Sequence, residues 1–486
     1  MALLDPALWS DKIYTAKGWV KGGGGSRDVV SPATGEKLGS LGLASVADVT
    51  QAAKDAHAAQ AEWANTTPEA RAAVLRKAGE LFEQHAAEIE SWIVKEAGSI
   101  PPKAGLETHT AAQECFEASA LPSHPSGQVL PSNADHWSFA RRRPAGVVSI
   151  IAPFNFPLIL SIRSIAPAIA LGNTVLFKPD PRTAVGAGVA IIRIFEEAGL
   201  PVGVFQLLNG AADVGEAICS ADEVRIISFT GSTAAGRKVG ELAAKHLKRA
   251  HLELGGNNAL IVLPGVDIAK AASAGAFGSW MHQGQICMTT GRHIVHESVY
   301  DAYVAALVEK ANHLPVGDPA SGQVALGPII DSNQTAKIQS IVDSTVAEGG
   351  VVAAGGTHEG NFFKPTVITN ITEESTAWKT EIFGPVAPII KFSTIDEAVA
   401  IAENSEYGLS IGILGDVGEA MKIADRLHSG KIHINEQTVA DEANIPFGGV
   451  GASGTGSRFG GAEANIEAFT ETQWLTMRSD IAPYPF

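Results

Sequence analysis

From Val147 onward the chain alternates short apolar runs with helical segments, and this alternation restricts it to few architectures. The runs are Val147–Ile151, Thr174–Phe177, Val204–Leu208, Arg225–Phe229 and Ala259–Leu263. Helical patterns lie between them near 157–171, 182–198, 211–219 and 233–247. Apolar strands separated by helices are the mark of βαβ units with a parallel sheet. Such sheets bind ligands at the carboxyl ends of their strands, where loops meet helix N-termini. A second α/β run follows residue 254, with strands near 293–296, 365–368 and 386–391 and helices near 298–312, 333–348 and 395–404. Upstream, Ala-rich periodicity predicts helices over Val46–Ala64 and Pro68–Ala97. The tail Phe469–Met477 alternates like a strand, and the polar segment 123–142 is a candidate to pair with it.

Composition narrows the function classes. The chain is 45% hydrophobic and 18% charged, which is enough apolar material for a large core, and its 51 glycines suit an α/β protein with many turns. A net charge of −16 repels phosphate backbones and anionic lipid, which disfavours nucleic acid or a membrane as a partner. Three cysteines, Cys115, Cys219 and Cys287, are odd in number and widely spaced. That argues against a disulfide framework or a zinc site and for a reducing compartment. Met1–Tyr14 lacks the basic and then apolar pattern of a signal peptide. The most apolar stretch, Gly146–Phe177, contains Pro153, Asn155, Pro157, Arg163 and Pro167 and divides into strand, turn, helix and strand, not one membrane span. A soluble, cytoplasmic protein is expected, with no bound metal.

Five motifs carry candidate chemistry. Cys287 stands in Gly284–Arg292, where small neighbours leave a thiolate sterically open. A buried core role is commoner for an arbitrary cysteine, and Cys115 and Cys219 fit that role. Glu253 precedes Gly255 and Gly256, at a turn where backbone approaches a ligand closely and an apolar setting suits a general base. Asn155, between Pro153 and Pro157, suits an oxyanion donor and equally a helix N-cap. Lys178 and Asp180 end one strand. Another ends at Phe229–Thr233, where Gly231 and Ser232 open a helix able to meet a phosphate. Glu381 and Phe383 lie on a loop before a strand.

These motifs occur together, in one order, over more than 220 residues. In that combination the chain closely resembles the NAD(P)-dependent aldehyde dehydrogenase superfamily over essentially its whole length. The resemblance implies a Rossmann-type nucleotide-binding domain, an α/β catalytic domain and a small β oligomerisation extension. It implies Cys287 as nucleophile, Glu253 as general base and Asn155 as oxyanion donor. It also implies Lys178 and Glu381 at the cofactor ribose units and Ser232 near the pyrophosphate, with Gly231, Phe383, Asp180 and Arg182 as further cofactor-binding residues. Glu463, seven residues before Thr470, matches a second acidic residue that the family uses in proton relay. The implied reaction is thiolate addition to an aldehyde, hydride loss to NAD or NADP, and hydrolysis of the thioester.

One departure bears on the cofactor. NAD-specific relatives carry a glutamate three residues after the lysine, and Pro181 stands there, between Asp180 and Arg182. The loss of that carboxylate is expected to admit NADP, with Arg182 able to attract its 2′-phosphate. The segments Lys178–Ala184 and Gly291–Glu297 look like those of bacterial vanillin and benzaldehyde dehydrogenases. An aromatic aldehyde is therefore expected, with Phe156 and Phe447 as ring-stacking walls. Arg163, two helical turns after Asn155, resembles the arginine of succinate-semialdehyde relatives and keeps a carboxylate-bearing substrate as the alternative. Acyl transfer to coenzyme A and a non-catalytic binding role stand further off, since Glu253 and the other motif residues are retained. The expected division is residues 1–122 and 143–253, with about 431–465, for the dinucleotide domain. The catalytic domain is expected over 254–430, and the extension over 123–142 and 466–486. An exposed extension strand predicts a homodimer or homotetramer.

Overall fold

In the computed structural model, which describes residues 2–486, the two α/β runs become two seven-stranded sheets. The first has the order Arg249–Glu253, Val224–Thr230, Val147–Ile151, Thr174–Lys178, Phe205–Leu207, Lys12–Thr15, Gly18–Lys21. Its first five strands are parallel. Val147–Ile151 and Thr174–Lys178 are buried throughout, as a sheet covered on both faces requires. The chain runs outward from Val147–Ile151 in one direction, then returns to add Val224–Thr230 on its other side. That reversal leaves a crevice beyond Ile151 and Thr230, the place where open α/β sheets hold ligands.

The second sheet has the order Val351–Ala354, Thr366–Thr369, Val386–Phe392, Thr290–His296, Asn258–Val262, Ser410–Leu414, Lys431–Ile434. All its pairings are parallel except that of the edge strand Val351–Ala354. Residues 431–434, grouped with the dinucleotide domain in the sequence reading, thus belong to this sheet. Their partner Ser410–Leu414 holds them there in register. The tail strand Thr470–Met477 pairs antiparallel with Trp137–Pro144, which pairs in turn with Gly127–Leu130. This third, small sheet joins the two segments expected to meet.

Other elements differ from the periodicity. The pattern over 68–97 breaks at His85 into Pro68–Gln84 and Ala86–Ala97, with no Pro or Gly to announce the break. The expected helix near 182–198 opens with a π-helical turn over Val185–Val189 before Ala190–Glu197. Its Val185 and Gly186 N–H groups donate to buried Glu96 at 3.1 and 2.6 Å. The strands Lys12–Thr15 and Gly18–Lys21 and the long helix Pro101–Ala120 were not anticipated.

Candidate active site

Two cavities meet at Cys287. One lies at the switch point of the first sheet and is lined by Phe154, Asn155, Gly231, Ser232, Gly255, Lys337, Glu381 and Phe383. The other is largely apolar and is lined by Asn155, Phe156, Leu160, Met288, Asp441 and Phe447 among others. Cys287 and Asn155 line both. A thiol placed there faces whatever occupies either side.

The loop that presents Cys287 is pinned from below. Asn258 donates through Nδ2 to the carbonyls of Cys287 and Thr289, both at 2.8 Å, and its Oδ1 accepts from Ser410 N–H at 3.0 Å. Gly256 lies so close that a Cβ there would fall 2.5 Å from the Cys287 carbonyl oxygen, so the position requires glycine. Burial pushes the Cys287 thiol up to about 12, against the opposing pull of the Lys431 ammonium. Lys431 is itself buried, which pushes it down to about 8, and its Nζ lies 2.7 Å from Met288 Sδ and 4.0 Å from the Phe447 ring centre. The thiol therefore needs a base to become a nucleophile.

Glu253 ends the last strand of the first sheet with its side chain 3% exposed. Oε2 accepts from Gly449 N–H at 3.2 Å, and buried Oε1 has no partner among the described residues. Burial raises this carboxyl well above the usual glutamate range. A carboxyl of that kind takes up a proton readily, as a general base must.

Asn155 is 2% exposed, and its side-chain amide makes no hydrogen bond among the described residues, which leaves a donor free at the thiol. Its backbone is held firmly. Lys103 Nζ donates to the Asn155 carbonyl at 2.6 Å and pairs with Glu107. Glu107 Oε2 accepts from the N–H groups of Leu158 and Ile159 at 3.0 and 3.4 Å, at the start of the helix Ile159–Ala170. The N-cap role is thus filled by Glu107, and the Asn155 amide is spared.

The cleft on the other side has the features of a nucleotide site. Ser232 caps the helix Thr233–Lys245 through Ala235 N–H at 3.3 Å, and the first-turn N–H groups beside it lack intrahelical acceptors. Buried Lys178, 9% exposed, ends its strand with no hydrogen-bonded carboxylate, and burial lowers its pKa. Glu381 accepts from Gly256 N–H at 3.0 Å, and burial pushes it up to about 7. Phe383 sits edge-on to Phe154, their centres 5.9 Å apart. A Cβ on Gly255 would meet Glu381 Oε2 at 2.3 Å, so glycine keeps the cleft open there.

Four expected site residues are placed otherwise. Arg182 donates twice to Asp180, at 2.9 and 2.7 Å, and once to Asp331, at 2.6 Å, and it lies over the Phe154 ring. Its charge is spent on two carboxylates, so it does not attract a phosphate, and Asp180 is occupied in the same way. Arg163 is buried with Nε on Glu114 at 3.0 Å and Nη2 on Asp441 at 2.7 Å. The two carboxylates neutralise its charge, which disfavours a substrate carboxylate there, although Nη1 is buried with no hydrogen-bond partner among the described residues. Glu463 is exposed on the helix Ala462–Phe469 and lines a surface cavity with Arg142 and Arg458, not either cavity at Cys287. The turn at Gly460 and Gly461, both at positive φ, starts that helix on the surface.

The sequence reading missed Lys103, Glu107, Glu114, Lys337, Lys431 and Asp441. A signal existed for three of them. Lys103, Glu107 and Glu114 share one helical face with the buried alanines Ala104, Ala111 and Ala118. Charges in phase with a core face are buried charges and need partners.

An open sheet with a cleft at its switch point, and a cysteine facing that cleft, define a thiol-bearing, nucleotide-binding enzyme class. The chain belongs to the aldehyde dehydrogenase family, whose profile matches residues 19–475. It is 60% identical over 487 residues to the vanillin dehydrogenase of an Amycolatopsis species, with 100% of both chains covered. It is 45% identical over 481 residues to a benzaldehyde dehydrogenase (NAD+) of Pseudomonas putida, covering 99% of this chain and 98% of that one. Among solved structures, betaine aldehyde dehydrogenase of Staphylococcus aureus in complex with NAD+ matches with a TM-score of 0.95 at 28% identity, over 99% of this chain and 97% of that one.

Proposed function

We infer that this chain oxidises aromatic aldehydes of the vanillin and benzaldehyde type to carboxylic acids, using NAD or NADP. The observation that carries the reading is the position of Cys287 and Asn155 in the wall shared by a nucleotide cleft and an apolar pocket. Phe156 and Phe447 line the pocket and suit a planar ring. The similarity to vanillin and benzaldehyde dehydrogenases supports the same substrate class. Paired Arg163 and the carboxylate of Asp441 both disfavour succinic semialdehyde.

In this reading Cys287 Sγ passes its proton to the Glu253 carboxylate and adds to the aldehyde carbon, and the Asn155 amide stabilises the oxyanion. Bound NAD(P) supplies the hydride acceptor. Glu253, with its unpaired Oε1, takes a proton from water as water attacks the thioester. Lys178 and Glu381 would hold the ribose hydroxyls, and the helix start at Ser232 would hold the pyrophosphate. Lys178 is the buried cation left for a ribose hydroxyl or a 2′-phosphate, because Arg182 is paired. With Pro181 in place of an excluding carboxylate, both cofactors are accepted.

The exposed Trp137, Trp474 and Met477 on the small third sheet support a homodimer or a dimer of dimers. No helix among the described residues is long and apolar enough to cross a membrane. Three free thiols, Cys115, Cys219 and Cys287, support a reducing, cytoplasmic setting.

The test is the rate of NAD(P)H formation with benzaldehyde, vanillin and succinic semialdehyde. The aromatic aldehydes are expected to lead in kcat/KM by at least about tenfold, roughly 1.4 kcal/mol. A lead for succinic semialdehyde would overturn the reading.

A further inference from the structure

The apolar pocket holds one charged group with nothing to do in the steps above. Asp441 lines it together with Cys287, Asn155, Phe156 and Phe447. One carboxylate oxygen, Oδ2, is held by Arg163 at 2.7 Å. The other, Oδ1, is buried with no hydrogen-bond partner among the described residues. Lys431 Nζ lies 3.8 Å from it, beyond hydrogen-bond distance, with its nearer contacts on Met288 Sδ at 2.7 Å and the Ala440 carbonyl at 3.4 Å. Arg163 is fixed from behind by Glu114, so its Nη2 stays aimed at Asp441, and a swing of Asp441 would leave that buried N–H unpaired. An acceptor left unpaired in such a place is costly, and a donor on the ligand would recover that cost.

The carbonyl end of an aldehyde is spoken for by Cys287 and Asn155, neither of which competes for Asp441. The remaining walls are mostly apolar and suit the ring. We propose that Asp441 is a specificity-determining residue that accepts a hydrogen bond from a ring hydroxyl, so that the pocket selects hydroxylated benzaldehydes. Arg163 is its positioning residue. The Arg163 guanidinium holds one oxygen of Asp441 and aims the free one. Thr110, whose hydroxyl makes no hydrogen bond among the described residues, is the other uncommitted polar group of the wall and faces the same ligand.

The inference rests on the aromatic-aldehyde reading and is tested so that the two fail differently. The kcat/KM values for benzaldehyde, the three hydroxybenzaldehydes and their methoxy counterparts are measured with the purified enzyme and Asp441→Asn. Asp441→Ala serves as a second variant, and thermal unfolding of both checks the fold. One hydroxy isomer is expected to exceed benzaldehyde and its own methoxy ether by about tenfold, mainly through KM, as for one charge-assisted hydrogen bond. Asp441→Asn and Asp441→Ala should lower that ratio about tenfold, and the methoxy ratio should not follow. In the wild type the preference should decline as pH rises through the phenol's own ionisation, because a phenolate cannot donate and Asp441 repels it. Around Asp441 the charged and titratable groups are Arg163, Glu114, Lys431, His433 and Cys287. A preference that instead grows on phenol ionisation would assign recognition to Lys431 and overturn the proposal. An unchanged hydroxy-to-benzaldehyde ratio in both variants would overturn it equally. Failure to oxidise any benzaldehyde would defeat the aromatic reading itself, and this inference with it.

Discussion

Burial raises both the Cys287 thiol and the Glu253 carboxyl, so each depends on where its proton goes. Cys287→Ala should abolish turnover while the unfolding temperature stays within about 2 °C of the parent, since the change is small in volume. Residual turnover near the parent rate would remove Cys287 as the nucleophile. The acid limb of kcat/KM should lie above the ordinary glutamate range, because Glu253 loses its capacity as a base when pH falls through its raised pKa. Glu253→Gln should abolish that limb and turn steady NAD(P)H release into a single burst, with a hydrolysis rate lower by about 10²–10⁴. A pH profile unchanged by the substitution would assign the limb elsewhere. Pro181→Glu should place a carboxylate where a 2′-phosphate would lie. It should depress NADP use selectively, by about tenfold or more in kcat/KM, from the charge clash. If the parent already rejects NADP by more than about a thousandfold, another group excludes it, and Asp180 is the first suspect.

At the scale of the element, the helix Pro101–Ala120 is the scaffold of the catalytic loop. Glu107 joins the start of Ile159–Ala170 to Lys103, and Lys103 in turn holds the Asn155 carbonyl. Glu107→Ala would strand a buried ammonium and two N–H groups, which costs about 3–5 kcal/mol. Urea unfolding measures that loss, and a cost below about 1 kcal/mol would mean that the pair is dispensable. Glu96 shows a different dependence. It meets only backbone donors at the π-helical turn, and burial pushes it up to about 8 from 4.5. Its folded-state pKa is raised, so its contribution to stability is fully present below 4.5 and is lost as pH rises to about 8. The slope in that window is at most about 1.4 kcal/mol per pH unit. Glu96→Gln should remove the slope, and parallel stability curves for parent and variant across that window would contradict the assignment.

Over the whole molecule, the small third sheet is the place where copies of the chain would meet. Trp474 is 70% exposed on the outer strand Thr470–Met477, although its Nε1 donates to Ser138 Oγ at 2.8 Å. In the proposed homodimer a tryptophan so exposed on a sheet edge would lie under the partner chain. Trp474→Glu should convert the proposed oligomer to 50.5 kDa particles in sedimentation velocity. A parent that already sediments as a monomer at micromolar concentration would refute the assembly.

The parallel sheets, most of their helices and the loops bearing Cys287, Glu253, Asn155, Lys178 and Glu381 were legible in the chain itself. Strand and helix periods are local, and a doubly wound sheet gathers its strand-end loops on one edge whatever their spacing. The fates of the charged residues were not legible. Arg163 finds Asp441 across 278 positions, Arg182 finds Asp331 across 149, and Lys103 reaches Asn155 across 52. Periodicity carries no information about such partners. A cation that looks free for a ligand in the sequence is therefore neutralised, or left available, only when tertiary packing brings distant carboxylates to it. Desolvation then makes that pairing decisive for what the site can bind.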